Sequence, residues 1–373
     1  MTTLLPKRAT RARKAAVSLA ERLLTPHGID RYLELVDPLL VRSEIRARVT
    51  HVEHPTPDTV TLALALSRVW RGFSAGQYVR VSVDIDGVRR TRCYSPANSQ
   101  YGDPRTLELT IKADPNGLVS RHLHEHAHVG MVLGVSHPDG AFTLPAWRPD
   151  SLLFISGGSG ITPVLSMLRT LRDEGYQGRA VFLHYADTAD EVLYRDTLTD
   201  LAGENGNELR VAIGYTATEP HETGADVHGL FTPEHLDAVA PWWRDAETYL
   251  CGPPGLMGAV RTAYTDAGVS EHLHTEEFTP PALEIDTANA TGTVRFSRSG
   301  QETANSGDVL LEQAEQAGLR PEHGCRMGIC FSCTQVKASG CVRNALTGEL
   351  SAEEDEEIQL CISVPVGDVD INC

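Results

Sequence analysis

The sequence contains no apolar run of the roughly 18 residues that a membrane-spanning helix requires. Basic residues are scarce beside acidic ones, 33 against 50, which gives a formal net charge of −17. A chain this acidic is unsuited to nucleic acid, because the phosphates would repel it. The N-terminus lacks the apolar core of a signal peptide, so we expect a cytoplasmic protein. Its eight cysteines are therefore predicted to serve metal or redox chemistry and not disulfides.

The 373 residues are enough for two or three domains, and a hydrophobic content of 41% is enough to fill their cores. Residues 1–42 form a basic segment with helical spacing of apolar residues, which predicts a helical extension. A basic amphipathic helix has several uses. The alternatives are a flexible arm and a weak peripheral contact with anionic lipid at the inner face of a membrane.

Four further regions follow from the pattern of strands and helices. Residues 43–147 contain short alternating strands separated by turns, which predicts an antiparallel β-barrel. Residues 148–280 alternate strand and helix, which predicts an α/β domain with a parallel sheet. A linker at 281–292 and a compact domain at 293–373 complete a multidomain chain.

The most specific motif lies in that last domain. Cys325, Cys330 and Cys333 have C-x4-C-x2-C spacing, and Cys361 follows as a fourth thiol. This is the ligand spacing of plant-type [2Fe–2S] ferredoxins, in which four thiolates hold two irons. The alternatives are a zinc site, which more often shows two C-x2-C pairs, and buried structural thiols. The segment from His323 to Cys333 closely resembles a ferredoxin loop, which implies an α+β domain of the β-grasp type.

Several motifs in the barrel and the α/β domain suit a flavin and a nucleotide. Arg92, Tyr94 and Ser95 close a strand, and offer a cation for phosphate, a ring to stack and a hydroxyl. A glycine turn then opens a helix, and helix N-termini attract phosphate. Residues 155–163 form a glycine-rich loop between a strand and a helix, although Pro163 replaces the last glycine of the dinucleotide fingerprint.

Together these motifs resemble the ferredoxin–NADP reductase superfamily. The resemblance implies a flavin site formed by Arg92, Tyr94, Ser95, Ile111, Lys112, Gly117, Leu118, Val119 and Ser120. It implies a pyridine-nucleotide site formed by Gly157, Gly158, Gly160, Thr162, Pro163, Cys251, Gly252 and Pro253. It also places an acidic-aromatic segment, Glu276 to Phe278, beside the flavin. Ser95, Cys251 and Glu276 would then position and polarise hydride transfer from the nucleotide to the flavin.

The choice of cofactors rests on less specific features. Asp187 follows a strand where a 2′-phosphate would lie, and its carboxylate would repel that group, so we favour NADH over NADPH. The chain also resembles reductases of the phthalate-dioxygenase type, which use FMN. The segment between Ser95 and Ser120 is complete enough for FAD, which we prefer.

The resemblance implies an electron-transfer reductase that serves a redox acceptor protein. The acceptor would be a fatty-acyl desaturase or a similar oxygenase, with a cytochrome P450 or a Rieske oxygenase as alternatives. A flavin and iron–sulfur redox sensor is the alternative from a different class. The H-x-x-E-H run at 122–126 and the acidic run at 353–357 are both interpreted as solvated surfaces, and the acidic run is also a candidate for steering a basic acceptor.

Overall fold

The computed structural model describes residues 29–115, 117–203, 209–217, 224–278, 290–324, 326, 328 and 331–373. Within these ranges the chain forms three sheets with helices packed on them, after a short leading helix, α1 (Ile29–Val36). No helix in these ranges is long and apolar enough to cross a membrane. The predicted basic arm through residue 28 and most of the predicted linker lie outside the described residues.

The first sheet is antiparallel and contains the strands β1 (Ile45–Thr56), β2 (Thr59–Leu66), β3 (Val79–Ile85), β4 (Val88–Tyr94), β5 (Thr106–Lys112) and β6 (Val132–Val135). Its order is β4-β3-β6-β1-β2-β5, and alternate side chains of β1, β2 and β3 fill one apolar core. Helix α2 (Leu118–His126) packs Val119 and Leu123 into that core. The predicted antiparallel barrel is confirmed as a curled sheet.

The second sheet is parallel and contains β7 (Ser151–Gly157), β8 (Arg179–Ala186), β9 (Leu209–Tyr215), β10 (Val227–His228), β11 (Glu247–Cys251) and β12 (Leu273–Glu276). Its order is β10-β9-β8-β7-β11-β12. Helices α3 (Ile161–Asp173) and α4 (Arg195–Gly203) cover one face, and α5 (Pro233–Val239) and α6 (Pro254–Ala267) cover the other. The predicted parallel α/β domain is confirmed, and the central strands β7, β8 and β11 are mostly apolar because both of their faces are buried.

The third sheet is mixed and contains β13 (Thr293–Phe296), β14 (Gln301–Ala304), β15 (Thr334–Asn344), β16 (Leu350–Ser351), β17 (Glu356–Gln359) and β18 (Ser363–Ile371). Its order is β14-β13-β18-β15-β16, with β17 also paired to β15. Strands β13 and β18 are parallel, and the other pairs are antiparallel. Helix α7 (Leu310–Gln316) packs Leu310 and Leu311 on the core of this sheet.

Helix α3 joins the barrel to the parallel sheet through side-chain bonds to the segment after β4. Arg169 Nη1 donates to the carbonyl of Ala97 at 2.9 Å and to Glu108 Oε1 at 2.6 Å. One turn earlier, Ser166 Oγ donates to the carbonyl of Asn98 at 2.7 Å. These bonds hold the end of β4, where the predicted flavin motif lies, against the nucleotide domain.

Candidate functional site

The edge of the parallel sheet brings together three groups that are far apart in the sequence. Strands β7, β11 and β12 end side by side, with Cys251 in register with Ser156 on one side and with Glu276 on the other. Ser95, at the end of barrel strand β4, is 2% exposed and donates its hydroxyl to Glu276 Oε2 at 3.3 Å. The three predicted catalytic residues therefore meet where the barrel faces this edge.

Burial controls the protonation of Glu276 and Cys251. Burial raises the pKa of Glu276 to about 8, although the hydrogen bond from Ser95 acts in the opposite direction. Burial also raises the pKa of Cys251 well above its usual value, with further increases from the nearby carboxylates of Glu276 and Glu277. At neutral pH the Cys251 thiol is therefore neutral and the Glu276 carboxyl group is protonated. Glu276 can hold this proton while it accepts the hydrogen bond from Ser95.

The glycine-rich loop follows β7 directly and packs against the end of β11. Gly158 has φ +52°, a left-handed conformation that glycine adopts without strain. A Cβ at Gly160 would lie 2.3 Å from the carbonyl oxygen of Cys251, so no side chain fits there. Thr162 is 2% exposed and Pro163 is buried in the first turn of α3. The loop leaves its backbone close to the N-terminus of α3, where phosphate charge is favoured.

The segment after β11 packs against the glycine-rich loop. Pro253 precedes the first turn of α6, and a Cβ at Gly157 would lie 2.9 Å from its Cδ. A Cβ at Gly252 would lie 3.0 Å from the backbone nitrogen of Gly157. The two predicted nucleotide motifs therefore lie in direct contact, and the absence of side chains at both glycines permits that contact.

The barrel residues of the predicted flavin site differ in how they are placed. Arg92 and Tyr94 lie half-buried on β4, and burial raises the pKa of the Tyr94 hydroxyl well above its usual range. Ile111 is 1% exposed, with its side chain in the barrel core. The Lys112 ammonium lies 3.2 Å from the carboxylate of Asp58.

The predicted phosphate turn opens helix α2, as the sequence indicates. Gly117 is the N-cap residue, and it carries no side-chain cap. Ser120 Oγ donates to the Gly117 carbonyl at 3.4 Å. A Cβ at Gly117 would lie 2.4 Å from Ser120 Oγ, so no side chain fits there. Leu118 is 49% exposed, whereas Val119 is buried in the barrel core. The first turn therefore places backbone N–H groups at a helix N-terminus, where an anion is favoured, beside the Ser120 hydroxyl, which also accepts from the Asp114 N–H.

Two further predicted positions lie around this centre. Asp187 is exposed at the end of β8 and accepts a hydrogen bond from Thr216 Oγ1 at 2.5 Å, so the ends of β8 and β9 are joined. Phe278 is 38% exposed beyond β12. The neighbouring Glu277 forms an ion pair with Arg261 on the surface, whereas the half-buried Glu276 accepts its hydrogen bond from Ser95.

Two of the four predicted cluster ligands lie among the described residues. Cys333 is 1% exposed and Cys361 is 3% exposed, and the backbone N–H of Gly328 donates to Cys361 Sγ at 3.3 Å. Gln359 Nε2 donates to the Gly328 carbonyl at 2.8 Å, which ties Gly328 to strand β17. Cys325 and Cys330 lie outside the described residues. Among the described residues there is no group of three side chains suited to a metal.

Two surface interpretations need correction or detail. The acidic run at 353–357 is not wholly solvated, because Glu356 lies 3.3 Å from the ammonium of Lys337, which is 0% exposed. In the H-x-x-E-H segment, the rings of His122 and His126 stack with centroids 4.7 Å apart, and His124 packs edge-on against His54. That contact makes this helix face partly packed and not purely solvated.

Sequence reasoning did not single out a buried pair beside Cys251. Ser156 Oγ lies 2.8 Å from His184 Nδ1, and both residues are 0% exposed. The available signal was the polar residue His184 within the apolar run of β8. The bonds of Arg169 to the barrel were also missed, because α3 shows no sequence feature that identifies its partner.

Two domain families match the chain. One, described as an oxidoreductase FAD-binding domain, matches residues 46–144, and the other, described as an oxidoreductase NAD-binding domain, matches residues 154–262. The chain is 36% identical to an NADPH oxidoreductase of Mycobacterium tuberculosis, over 94% of this chain and 90% of that protein. It is 32% identical to the glycine betaine monooxygenase reductase subunit of Pseudomonas aeruginosa, over 80% of this chain and 87% of that protein.

A solved structure matches most of the chain. Phthalate dioxygenase reductase, described as a modular structure for electron transfer from pyridine nucleotides to [2Fe–2S], is 26% identical with a TM-score of 0.58. The match covers 88% of this chain and 97% of that one. This chain therefore belongs to the FAD- and NAD(P)H-binding oxidoreductases of the ferredoxin reductase superfamily, a group that includes the reductase components of oxygenases.

Proposed function

We propose that this chain is an NADH-dependent reductase that passes electrons through FAD to a plant-type [2Fe–2S] cluster in its C-terminal domain, and from there to an oxygenase-type acceptor. The observation that carries the proposal is the meeting of Ser95, Cys251 and Glu276 between barrel and parallel sheet. We place the flavin domain at 43–147, the nucleotide domain at 148–280 and the ferredoxin domain at 293–373.

The flavin site is supported by the chemistry that its residues offer. When bound, FAD accepts a hydride and releases electrons singly, chemistry that no side chain supplies. Arg92 and the first turn of α2 suit its diphosphate, and Tyr94 suits its ring system. Ser95 would orient Glu276 through its hydrogen bond to Oε2, and Glu276 would hold a proton beside the flavin in a site that excludes water.

The cluster is supported by the two described thiols. Both are buried, as ligands of a cluster shielded from water would be, and Cys361 Sγ accepts a backbone N–H bond of the kind that tunes cluster potentials. A mixed sheet with one helix on its core is the arrangement expected of a β-grasp domain. Cys325 and Cys330 complete the proposed ligand set in the sequence.

The acceptor is proposed from the relatives. The Pseudomonas aeruginosa relative is named as a monooxygenase reductase subunit, and phthalate dioxygenase reductase is named for a dioxygenase. NADH-driven reduction of cytochrome c by the purified holoenzyme tests the proposal against the redox-sensor alternative. We expect sustained turnover, whereas intact cofactors without turnover would support the sensor.

The preference for NADH gives a prediction at Asp187. Its exposed carboxylate lies at the end of β8 and would repel a 2′-phosphate, even though the Mycobacterium tuberculosis relative is named an NADPH oxidoreductase. We expect Asp187→Ser to raise kcat/KM for NADPH about tenfold and to change the value for NADH less. Asp190→Ser, an exposed acid three residues later, is the matched control. A wild type that prefers NADPH would contradict the assignment.

The acidic run gives a second prediction, with Glu356 left intact because it pairs with the buried Lys337. We expect a triple variant, Glu354→Gln, Asp355→Asn and Glu357→Gln, to slow electron delivery to a basic acceptor about tenfold at low salt. The difference should shrink at 0.5 M salt, where charges beyond about 4 Å are screened. Cytochrome c reduction over a salt series measures it, and an unchanged rate at low salt would remove the steering role.

A further inference from the structure

A row of polar side chains crosses the end of the parallel sheet. The register pairs Glu276 with Cys251, Cys251 with Ser156, and Ser156 with His184, so the four residues occupy neighbouring strands at one level. Side chains at one level of a parallel sheet point to the same face. Two residues earlier on the same face, β7, β8 and β11 carry the apolar Phe154, Phe182 and Tyr249, and the edge strand β12 carries His274, whose ring stacks on Tyr249. On the three strands β7, β8 and β11 the polar residues are therefore confined to the last level before the loops.

The Ser156–His184 pair is a buried polar contact within mostly apolar strands. Both residues are 0% exposed, and Ser156 Oγ lies 2.8 Å from Nδ1 of His184. The other ring nitrogen, Nε2, is buried without a hydrogen-bond partner in the part of the chain that the structure describes. Two apolar residues would fill this space at a lower desolvation cost. Local rules are most often broken at functional sites.

The histidine is neutral and makes one side-chain hydrogen bond. Burial lowers the pKa of His184 to about 4, so the ring is neutral at working pH and carries one N–H. Nδ1 shares its hydrogen bond with Ser156 Oγ, as donor or as acceptor according to the tautomer. The side chain of Ser156 is thereby held in one orientation, beside Cys251 and directly before the glycine loop.

We infer that Ser156 and His184 are positioning residues for hydride transfer. They hold the end of β7 so that the glycine-rich loop stays packed against the segment from Cys251 to Pro253. The inference rests on the proposed role of Cys251 and the loop in binding the nicotinamide nucleotide. Its structural basis is the close packing at this point. Gly157, the residue after Ser156, contacts Pro253, and Gly160 contacts Cys251, so a shift at the end of β7 reaches both the loop and that segment.

The test is anaerobic stopped-flow reduction of the FAD-loaded full chain by NADH, with the limiting rate and the nucleotide Kd measured separately. We expect Ser156→Ala and His184→Leu to lower the ratio of the limiting rate of flavin reduction to the nucleotide Kd about tenfold. A shift at the end of β7 would misalign the nucleotide and the flavin. His184→Asn places an amide group near the position of Nδ1, where it can donate to or accept from Ser156, and should stay within about twofold of wild type. His184→Gln places the amide group near Nε2 and should behave like His184→Leu.

A matched control separates positioning from stability. Thr248 and Tyr264 form another buried pair in the same domain, with oxygens 2.6 Å apart, and neither belongs to the polar row. Tyr264→Phe should lower Tm without changing the NADH kinetics. If single variants fold poorly, the double variant Ser156→Ala, His184→Leu removes both polar groups and should fold but remain slow.

The outcomes are distinct. Unchanged kinetics in Ser156→Ala and His184→Leu, or an equal loss in Tyr264→Phe, would overturn the positioning role while leaving the proposed function intact. A wild-type flavin that NADH does not reduce would contradict the proposed function and the inference together. If His184→Asn keeps wild-type kinetics and His184→Gln loses them, the hydrogen bond at Nδ1 is supported as the contact that positions the site.

Discussion

Replacing Glu276 by glutamine is expected to slow reoxidation of the NADH-reduced flavin, a step that releases a proton, about 100-fold, the loss typical of a removed proton-exchanging group. The carboxyl group lies 3.3 Å from Ser95 Oγ, and its raised pKa of about 8 keeps it protonated at neutral pH. Glutamine has the same size but cannot release a proton. Stopped-flow absorbance of the flavin, with the flavin content checked beforehand, measures the effect.

The pH dependence provides a second readout of the same residue. A folded-state pKa of about 8 against an ordinary value of 4.5 means that the folded chain holds a proton which the unfolded chain loses. The free energy of unfolding should therefore fall as pH rises from about 4.5 to 8, and Glu276→Gln should remove this part of the slope. Ser95→Ala should move the midpoint upward, because the hydrogen bond from Ser95 lowers the pKa.

Glu277→Gln is the matched control for both measurements. Glu277 is the next residue, but its carboxylate pairs with Arg261 at the surface and does not bond to Ser95. We expect near wild-type rates and an unchanged pH profile. Equal losses in the two variants, or no loss in Glu276→Gln, would contradict the assignment of Glu276 to proton exchange.

Replacing Cys333 by serine is expected to abolish NADH-driven cytochrome c reduction while leaving flavin reduction by NADH within about twofold. Cys333 is 1% exposed in the core beside Cys361, and a serine oxygen is a much poorer ligand for an iron–sulfur cluster. The variant should also lose iron and acid-labile sulfide. Flavin reduction should persist because Ser95, Cys251 and Glu276 all lie in the other two domains.

The control for this prediction is another thiol of the same domain. Cys341 lies half-buried in β15 opposite Val366, outside the proposed ligand set. Cys341→Ser should keep the cluster and the cytochrome c activity. Retention of iron and full activity in Cys333→Ser would exclude Cys333 as a ligand and would leave the C-terminal domain without an assigned role.

The sequence predicted the local features of the fold and missed contacts between distant residues. The glycine turn at Gly117, the loop from Gly157 to Gly160 and the strand ending at Tyr94 were predicted because backbone conformation and helix starts leave local signals. The alternation of strand and helix predicted the parallel sheet for the same reason.

Contacts made through domain docking could not be predicted in this way. Ser95 and Glu276 are 181 residues apart, and only the family resemblance placed them in one site. Their contact depends on α3, whose Arg169 bonds to the barrel leave no pattern in the sequence. Likewise, Glu356 was interpreted as solvated because its partner, the buried Lys337, lies on a neighbouring strand.

Electron transfer from NADH through FAD to a [2Fe–2S] cluster is the central claim, and one titration tests it most directly. The full chain, purified with its cofactors, is titrated anaerobically with NADH and followed by absorbance and EPR. The account predicts bleaching of the flavin together with the EPR signal of a reduced [2Fe–2S] cluster in the wild type. Bleaching of the flavin in a protein that contains iron and sulfide, without any cluster signal, would contradict it.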